Sequence, residues 1–349
     1  MPTPASPTPA TLDPADVSVP FDFSWPWQRQ LAAAVRDPDR LCQLLRLPEI
    51  FWPDARRAAR LFPLLVPHSY LGRIEPGNPD DPLLRQVLPI APELEQPPGF
   101  TPDPVGDEAA RVAPGLLHKY DGRVLLIATG TCAVHCRYCF RRHYPYHAEP
   151  RRLDEWRPAL DAIAADPSIH EVILSGGDPL VLADDRLEAL VTSIASIPHV
   201  SRLRLHTRLP VVLPARVTDR LLEILAEAGP TPVMVVHANH AREIAGDCRA
   251  ALRKVSRSGI MLLNQSVLLA GVNDSVDALA SLSNSLIDVG ATPYYLHQLD
   301  RVTGAAHFEV PEARGVELLA QLRTLLPGYA VPRYVRESPG DRSKTPIAD

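Results

Sequence analysis

Residues 130–143 read Gly130-Thr131-Cys132-Ala133-Val134-His135-Cys136-Arg137-Tyr138-Cys139-Phe140-Arg141-Arg142-His143, and this stretch decides how the rest of the chain is interpreted. Three of the five cysteines lie within eight residues of one another, spaced C-x3-C-x2-C. A [4Fe-4S] cluster normally takes four cysteine thiolates. Three thiolates at this spacing therefore predict a cluster in which one iron keeps a position open for a ligand from outside the protein.

Zinc, a disulfide pair with a spare thiol, and chance packing are the alternatives for these cysteines. Zinc could recruit His135 or His143 as a fourth ligand, but zinc sites usually pair two C-x2-C arms, and the sequence has no second arm. Cys42 and Cys248 match no motif, and so few thiols do not indicate a disulfide framework. These observations favour the cluster.

Composition narrows the class of protein. The chain has 349 residues, 46% of them hydrophobic, which is enough for one large domain with an extension. A net charge of -5 gives no basic surface for nucleic acid. The sequence contains neither a membrane span nor the apolar core of a signal peptide. We therefore expect a cytoplasmic protein with no nucleic-acid or membrane partner.

Proline is frequent, at 38 residues or about twice the usual share, and much of it lies before residue 115. Residues 1–20 are poor in apolar side chains and are expected to be disordered or loosely draped. Residues 71–115 read as an extended connector with one helix. We expect residues 1–115 to form a mainly helical, Pro-rich extension with short helices at Trp27 to Val35, Asp39 to Leu47 and Pro53 to Leu65.

From residue 116 onward, apolar β-rich runs alternate with amphipathic stretches, which is typical of β-α units and a parallel sheet. The predicted strands are Val124 to Ala128, Glu171 to Leu174, Arg202 to His206, Pro232 to His237, Ile260 to Gln265 and Thr292 to His297. The predicted helices lie near 153–165, 184–196, 216–228, 241–258, 275–289 and 311–325. This α/β pattern favours a partial (β/α)6 barrel over residues 116–330, with an open flat sheet as the alternative, and leaves residues 331–349 as a C-terminal segment.

Each predicted strand ends in polar residues. In barrels of parallel strands the chemistry lies at the carboxyl ends of the strands, so these residues should share one mouth. In strand order they are the cysteine stretch, Ser175 to Pro179, His206 to Arg208, His237 to His240, Asn264 to Ser266, and His297 to Asp300.

The cysteine spacing, with an aromatic residue before Cys139, resembles the radical S-adenosylmethionine (SAM) superfamily. The resemblance implies that the amino and carboxylate groups of SAM bind the open iron of a cluster held by Cys132, Cys136 and Cys139. An ordinary strand-to-helix turn would by itself account for the two glycines, but the segment after the second strand resembles the one that contacts the amino group of SAM. That segment is Ser175, Gly176, Gly177 and Asp178.

The C-terminal passage Ser338-Pro339-Gly340-Asp341-Arg342-Ser343-Lys344-Thr345-Pro346 is similar to the lysine-bearing loop of the lysine 2,3-aminomutase family. Taken alone, Lys344 would be interpreted as a solvated tail residue. The resemblance implies that Lys344 forms a Schiff base with pyridoxal 5'-phosphate (PLP). The resemblance to this family also covers the passages L-P-V-V-L-P-A-R-V-T, L-N-Q-S-V-L-L-A-G-V-N-D and P-Y-Y-L-H-Q-L-D. Arg123, His237 and Gln265 are candidates for contacts with PLP or SAM.

Within that family the chain resembles the branch that makes β-lysine for modification of translation elongation factor P. The passages C-A-V-H-C-R-Y-C-F-R-R-H-Y-P-Y and G-A-A-H-F and the ending S-K-T-P carry this resemblance. It implies a functional link to the elongation factor and its lysyl ligase, a flavodoxin- or ferredoxin-like reductant, and a homo-oligomer. The clostridial lysine-degrading branch has a longer C-terminal extension, so its mode of oligomerisation does not transfer.

The resemblance implies an isomerase that moves the amine of free L-lysine from C2 to C3. Arg141 would bind the substrate carboxylate through a two-pronged contact. Asp300 and Glu337 correspond to acids that bind the distal ammonium group, and two carboxylates would repel a dicarboxylate such as glutamate. At 337 the lysine-degrading branch has Asp. The alternatives are an aminomutase for another amino acid such as glutamate and, in a different class, an iron-sulfur electron carrier or a metal-stabilised binding protein.

Overall fold

The computed structural model describes residues 22–348 as a single ten-stranded sheet with helices packed against it. The strands occupy the sheet in chain order: β1 (Arg111–Ala113), β2 (Leu116–Tyr120), β3 (Arg123–Thr129), β4 (Glu171–Gly176), β5 (Arg202–Thr207), β6 (Thr231–His237), β7 (Met261–Val267), β8 (Thr292–His297), β9 (Arg333–Arg336) and β10 (Thr345–Ala348). The expectation of disorder for residues 1–20 lies outside the described residues. Across the described residues, every helix is too short or too polar to cross a membrane.

The helices fall into two groups along the chain. Before the sheet come α1 (Trp27–Ala32), α2 (Pro38–Leu44), α3 (Trp52–Leu61), α4 (His68–Leu71) and α5 (Pro82–Arg85). Between and after the strands come α6 (Arg157–Ala165), α7 (Asp184–Ala195), α8 (Leu209–Val212), α9 (Asp219–Ala226), α10 (Gly246–Arg257), α11 (Val276–Ile287) and α12 (Glu312–Leu325). The mainly helical N-terminal region predicted from the sequence is therefore confirmed.

The six strands predicted from the sequence are β3 to β8, and they pair in parallel with one another and with β9. Every residue of β4 is buried, which explains why it reads as a nearly continuous apolar run. The four outer strands β1, β2, β9 and β10 escaped prediction. They are only three to five residues long, too short for their side-chain alternation to stand out.

Local sequence signals explain where several helices begin. The Thr218 side chain accepts a hydrogen bond from the Leu221 amide at the start of α9, and Ser275 does the same for Ala278 at the start of α11. Helices α9 and α11 then bury leucines against the sheet, within the large apolar core that fills the molecule. Since both helices start on the chain's way back to the next strand, the carboxyl ends of the strands remain uncovered by them.

The sheet curls but does not close. Strands β1 and β10 are its two edges, yet Lys119 of β2 places its Nζ 2.9 Å from Oε1 of Glu337, the residue that follows β9. Side chains from near the two ends of the strand order therefore meet, and we call this Lys119–Glu337 junction the seam. The predicted partial barrel is confirmed, and the flat sheet is not what forms.

Gly176 and Gly177 are needed for packing of the chain against itself. Gly176 has a φ of +112°, and a Cβ there would lie 2.6 Å from the carbonyl oxygen of Thr129. A Cβ on Gly177 would lie 2.3 Å from the carbonyl oxygen of Thr131. The two glycines thus let the turn after β4 lie directly on the backbone that leads into the cysteine stretch.

We predict that Gly177→Ala destabilises the protein by roughly 1–3 kcal/mol, because rigid backbone must move to admit the methyl group. Thermal and urea denaturation would measure the effect. Gly328→Ala is the matched control, since a Cβ at Gly328 meets nothing within 4 Å. Equal stability of the two variants would show that the close contact at Gly177 relaxes without cost.

Candidate active site

A cavity of about 400 Å³ opens at the carboxyl ends of the parallel strands. Every residue that the sequence singled out for the site lines this one cavity: Cys132, Cys136, Cys139, Arg123, Arg141, Ser175, Gly176, Gly177, Asp178, His237, Gln265, Asp300, Glu337 and Lys344. The structure thus brings together groups separated by more than two hundred positions in the chain.

The three cysteines of the 130–143 stretch are free thiols, as are Cys42 and Cys248, so the disulfide alternative is excluded here. Burial raises the pKa of Cys139 to about 11 and that of Cys132 well above its usual value. These thiols need a positive partner to ionise. The Arg208 guanidinium donates a hydrogen bond to the sulfur of Cys136 at 2.6 Å.

A buried ion pair fixes the cysteine stretch in place. Arg137, between the second and third cysteines, donates from Nε and Nη2 to the two carboxylate oxygens of Glu93, at 2.8 and 2.6 Å. Both side chains are fully buried. Arg142 adds a second guanidinium to the same carboxylate, with 2.8 Å between its Nη2 and Oε2 of Glu93. The stretch is therefore anchored to the N-terminal helical region through charge-assisted hydrogen bonds.

Backbone contacts reinforce that anchoring and bear on the zinc alternative. The His135 amide donates to the Leu65 carbonyl, and its ring Nδ1 lies 2.8 Å from the Pro63 carbonyl oxygen. The ring Nε2 of His143 lies 3.0 Å from the carbonyl oxygen of Thr303. Both histidines that could have completed a zinc site with the cysteines are thus turned toward backbone carbonyls.

Within residues 22–348, no three side chains of His, Cys, Asp or Glu converge on a point where they could hold a single ion. This spread is compatible with a cluster, since each cysteine of a [4Fe-4S] cube binds a different iron. The donor set is also appropriate: three free thiols share one cavity, with an arginine beside one of them. The residues present therefore fit a cluster with three protein ligands.

Asp178 ties two strand ends together. Its Oδ1 accepts from the Thr207 hydroxyl at 2.7 Å, and its Oδ2 accepts from the Arg208 amide at 2.6 Å. The amides of Leu180 and Leu209 add to these bonds. Burial raises the pKa of this carboxyl to about 6, against the lowering effect of these donors. Its contact with SAM stays a prediction, but its carboxylate already joins the turn after β4 to the turn after β5.

Three histidines around the cavity are held neutral. Burial lowers the pKa of His237 to about 3, and His206 and His297 fall well below their usual values, also chiefly through burial. Nε2 of His237 lies 3.0 Å from the Tyr138 hydroxyl, and the two rings stack. The cavity is thus lined by neutral imidazoles, one of which, His237, contacts Tyr138 of the cysteine stretch.

Five side chains of alternating charge form a connected row at the cavity. Arg141 donates to Asp107 Oδ2 at 2.7 Å, and Asp107 Oδ1 lies 2.6 Å from Lys119 Nζ. Lys119 continues across the seam to Glu337, whose Oε2 accepts from Lys344. Burial alone would raise the pKa of Glu337, but the ammonium groups of Lys344 and Lys119 hold it well below its usual value. Glu337 is therefore ionised and doubly paired.

Asp300 differs from Glu337 in having no such partners. Its carboxylate makes no hydrogen bond or ion pair with the rest of residues 22–348, and burial, aided by the charge of Glu337, raises its pKa to about 7. Arg123 lies with its guanidinium 4.8 Å from the centre of the Tyr120 ring, and Gln265 also faces the cavity. Asp300 is thus a carboxylate available to a cationic ligand.

Sequence reasoning missed Glu93, Asp107 and Lys119 as parts of this site. Asp107 and Lys119 precede the first predicted strand, so no strand-end rule pointed to them. Glu93 lies in the segment interpreted as a connector. Lysine is rare here, with only Lys119, Lys254 and Lys344 in the chain, and that rarity was the one signal that could have marked Lys119.

Comparison with known proteins agrees with this geometry. Residues 126–282 match the radical SAM superfamily, which defines the class of enzyme. The L-lysine 2,3-aminomutase of Escherichia coli (strain K12) is 50% identical over 322 residues, covering 92% of this chain and 94% of that protein. The L-lysine 2,3-aminomutase of Haemophilus influenzae is 46% identical, covering 93% and 96%. That of Clostridium subterminale is 34% identical, covering 93% and 79%.

This chain belongs to the lysine 2,3-aminomutase family of radical SAM enzymes and is an isomerase. Membership in the superfamily brings a [4Fe-4S] cluster and SAM as cofactors, in keeping with the three thiols in the cavity. The electron-carrier and binding-module alternatives are thereby excluded.

We predict that the free energy of unfolding of Asp300→Asn increases relative to that of the unsubstituted protein as pH rises. A carboxyl whose pKa is raised in the folded state stabilises the fold while protonated and loses that contribution as pH rises through about 7. Urea denaturation at pH 5 and pH 8 should show the original chain losing about 1–2 kcal/mol relative to the variant. Asp154→Asn, at an exposed ion pair, is the control. Parallel pH profiles for Asp300→Asn and the original chain would contradict the assignment.

Proposed function

We propose that this protein converts L-α-lysine to β-lysine, using PLP bound through Lys344 together with SAM and the cluster. The main support for this proposal is that Lys344 and the three cysteines line one cavity, although they are far apart in the sequence. An enzyme with a radical source alone would have no need of a half-buried lysine there. The 50% identity to a named L-lysine 2,3-aminomutase supports the same reaction.

The bound cofactors would supply a carbon radical that removes hydrogen from C3 and a π-system through which the amine can move between carbons. The remaining work falls to the chain's own residues. Cys132, Cys136 and Cys139 would hold three irons, while the glycine turn at 176–177 would let backbone groups approach SAM closely. Arg123, His237 and Gln265 face the same space and are the proposed cofactor contacts.

Lys344 must give up a proton and leave Glu337 before its amine can react with an aldehyde. In the structure it donates to Glu337 Oε2, which keeps it in place but paired. When Lys344 leaves, one oxygen of Glu337 becomes available to another cation. The distal ammonium of lysine is such a cation, and the unpaired Asp300 would offer it a second carboxylate.

Arg141 would take the other end of the substrate. Its Nε is bound to Asp107 and its Nη1 lies 3.2 Å from the Ser175 hydroxyl, while Nη2 makes no hydrogen bond within residues 22–348. Nη2 can therefore donate to a carboxylate in the cavity. A substrate held between Arg141 and two acids is a free amino acid with a cationic side chain, which favours lysine over glutamate.

A preference for free lysine supports a reaction that precedes attachment of lysine, through its carboxylate, to translation elongation factor P. We propose that the product serves that modification through the factor's lysyl ligase in the cytoplasm, with a flavodoxin- or ferredoxin-like protein as reductant and with the chain acting as a homo-oligomer. We also propose three parts of the chain: a helical, Pro-rich extension at residues 1–115, the radical SAM partial barrel at 116–330, and a C-terminal segment with the PLP lysine at 331–349.

A substrate panel would test the reaction. Anaerobically reconstituted protein with dithionite, SAM and PLP should convert lysine to β-lysine and leave glutamate unchanged, as followed by chromatography of the amino acids. Cys136→Ala should lose the broad visible band of the cluster and all turnover, because a thiolate ligand is removed. Turnover of glutamate but not lysine would overturn the proposal.

Borohydride trapping would test the role of Lys344. Reduction of the PLP-loaded protein should attach the cofactor to one peptide, and with three lysines in the chain the position is easily mapped. We expect the label on Lys344 and its loss in Lys344→Ala, while Lys254→Ala keeps it. A label on Lys119, which binds the same glutamate, would contradict the proposal, because the cofactor would then be attached to β2 and not to the C-terminal loop.

A further inference from the structure

Two of the chain's three lysines share one carboxylate. Lys344 donates to Oε2 of Glu337, and Lys119 lies 2.9 Å from Oε1. Lys344 follows Glu337 by seven residues in a loop, whereas Lys119 belongs to β2. The two lysines therefore have different freedom to move away from the glutamate.

Lys119 is held on three sides. Besides Glu337, its Nζ forms an ion pair with Asp107 Oδ1 at 2.6 Å and donates to the Val105 carbonyl oxygen at 2.9 Å. The side chain is only 17% exposed. Lys119 is thus committed to three oxygens of the protein, and it keeps one oxygen of Glu337 neutralised whether or not Lys344 is present.

Lys119 also connects the two proposed ends of the substrate site. Asp107 joins it to Arg141, since the Asp107 carboxylate receives Lys119 on one oxygen and Arg141 on the other. The path from Arg141 to Glu337 thus runs through two side chains with short contacts. The distance between a carboxylate-binding group and an ammonium-binding group determines which length of diamino acid the site binds best.

We propose that Lys119 is a positioning residue for substrate specificity, a fixed counter-ion that sets the distance between Arg141 and Glu337 and leaves Oε2 of Glu337 to be exchanged between Lys344 and the distal ammonium of the substrate. This inference rests on the proposed lysine 2,3-aminomutase reaction. Lys119 acts through its two carboxylate partners and need not touch the substrate.

Lys119→Met is the principal test, with Lys119→Arg as the charge-retaining variant. Lys254→Met is the matched control, because Lys254 pairs with Asp219 on the outside of the barrel. Two readouts are independent of turnover: PLP occupancy from visible absorbance, and lysine affinity of the SAM-free, PLP-loaded protein from the change in that absorbance. Turnover then gives kcat and KM for lysine and for ornithine, which is shorter by one methylene.

We expect Lys119→Met to weaken lysine binding and raise KM by about tenfold or more, as loss of one member of a buried charged network does, with PLP occupancy unchanged. Its preference for lysine over ornithine should fall. Lys119→Arg should recover most of the affinity, and Lys254→Met should match the original chain. If Lys119→Met does not fold, Lys119→Gln takes its place.

Unchanged lysine affinity in the neutral variants would overturn the inference, as would a parallel loss of PLP, which would make Lys119 a cofactor ligand. Failure of both neutral variants to fold while Lys119→Arg folds would also overturn it, because the lysine would then serve the sheet. These outcomes differ from failure of the proposed function, in which the original chain itself would not turn over lysine.

Discussion

The buried pair between Arg137 and Glu93 is the interaction on which the site depends. Arg137 stands between Cys136 and Cys139, so the position of this guanidinium fixes the cysteines on either side. Removing one member of such a pair costs several kcal/mol, because the other charge is left buried, even though the intact pair adds little net stability. With Arg142 also on Glu93, two cations face one anion beside a site for an anionic cluster. The same contacts that hold the stretch thus supply positive charge to it.

The N-terminal region belongs to the active site for this reason. The sequence predicts only a helical, Pro-rich extension here, but Glu93, Gln86 and Leu65 of this region all contact the cysteine stretch. Gln86 also accepts from Arg208, the arginine that donates to Cys136. The barrel therefore brings the cysteines to its mouth, and the N-terminal region before it fixes their position there.

The barrel and its mouth could be predicted because they follow from local signals. Strands β3 to β8 are apolar runs, and parallel strands place their polar ends at one edge, so His237, Gln265 and Asp300 were expected together. The pairings could not be predicted. Glu337 reads as a free acid in the sequence, and only the fold shows Lys119, 218 positions earlier, against it. The sequence likewise offered a ligand contact or an ordinary turn as reasons for the glycines at 176 and 177, and only the fold shows that the backbone of Thr129 and Thr131 also requires them.

The seam separates this barrel from a closed one in a practical way. In a closed barrel, backbone hydrogen bonds join the first strand to the last. Here the two ends of the sheet are joined instead by the side chains of Lys119 on β2 and Glu337 after β9. These two side chains are only 17% and 15% exposed, so the pair is a largely buried contact. The wall of the barrel at this point therefore depends on two side chains, so a single substitution there would open it without breaking any backbone hydrogen bond.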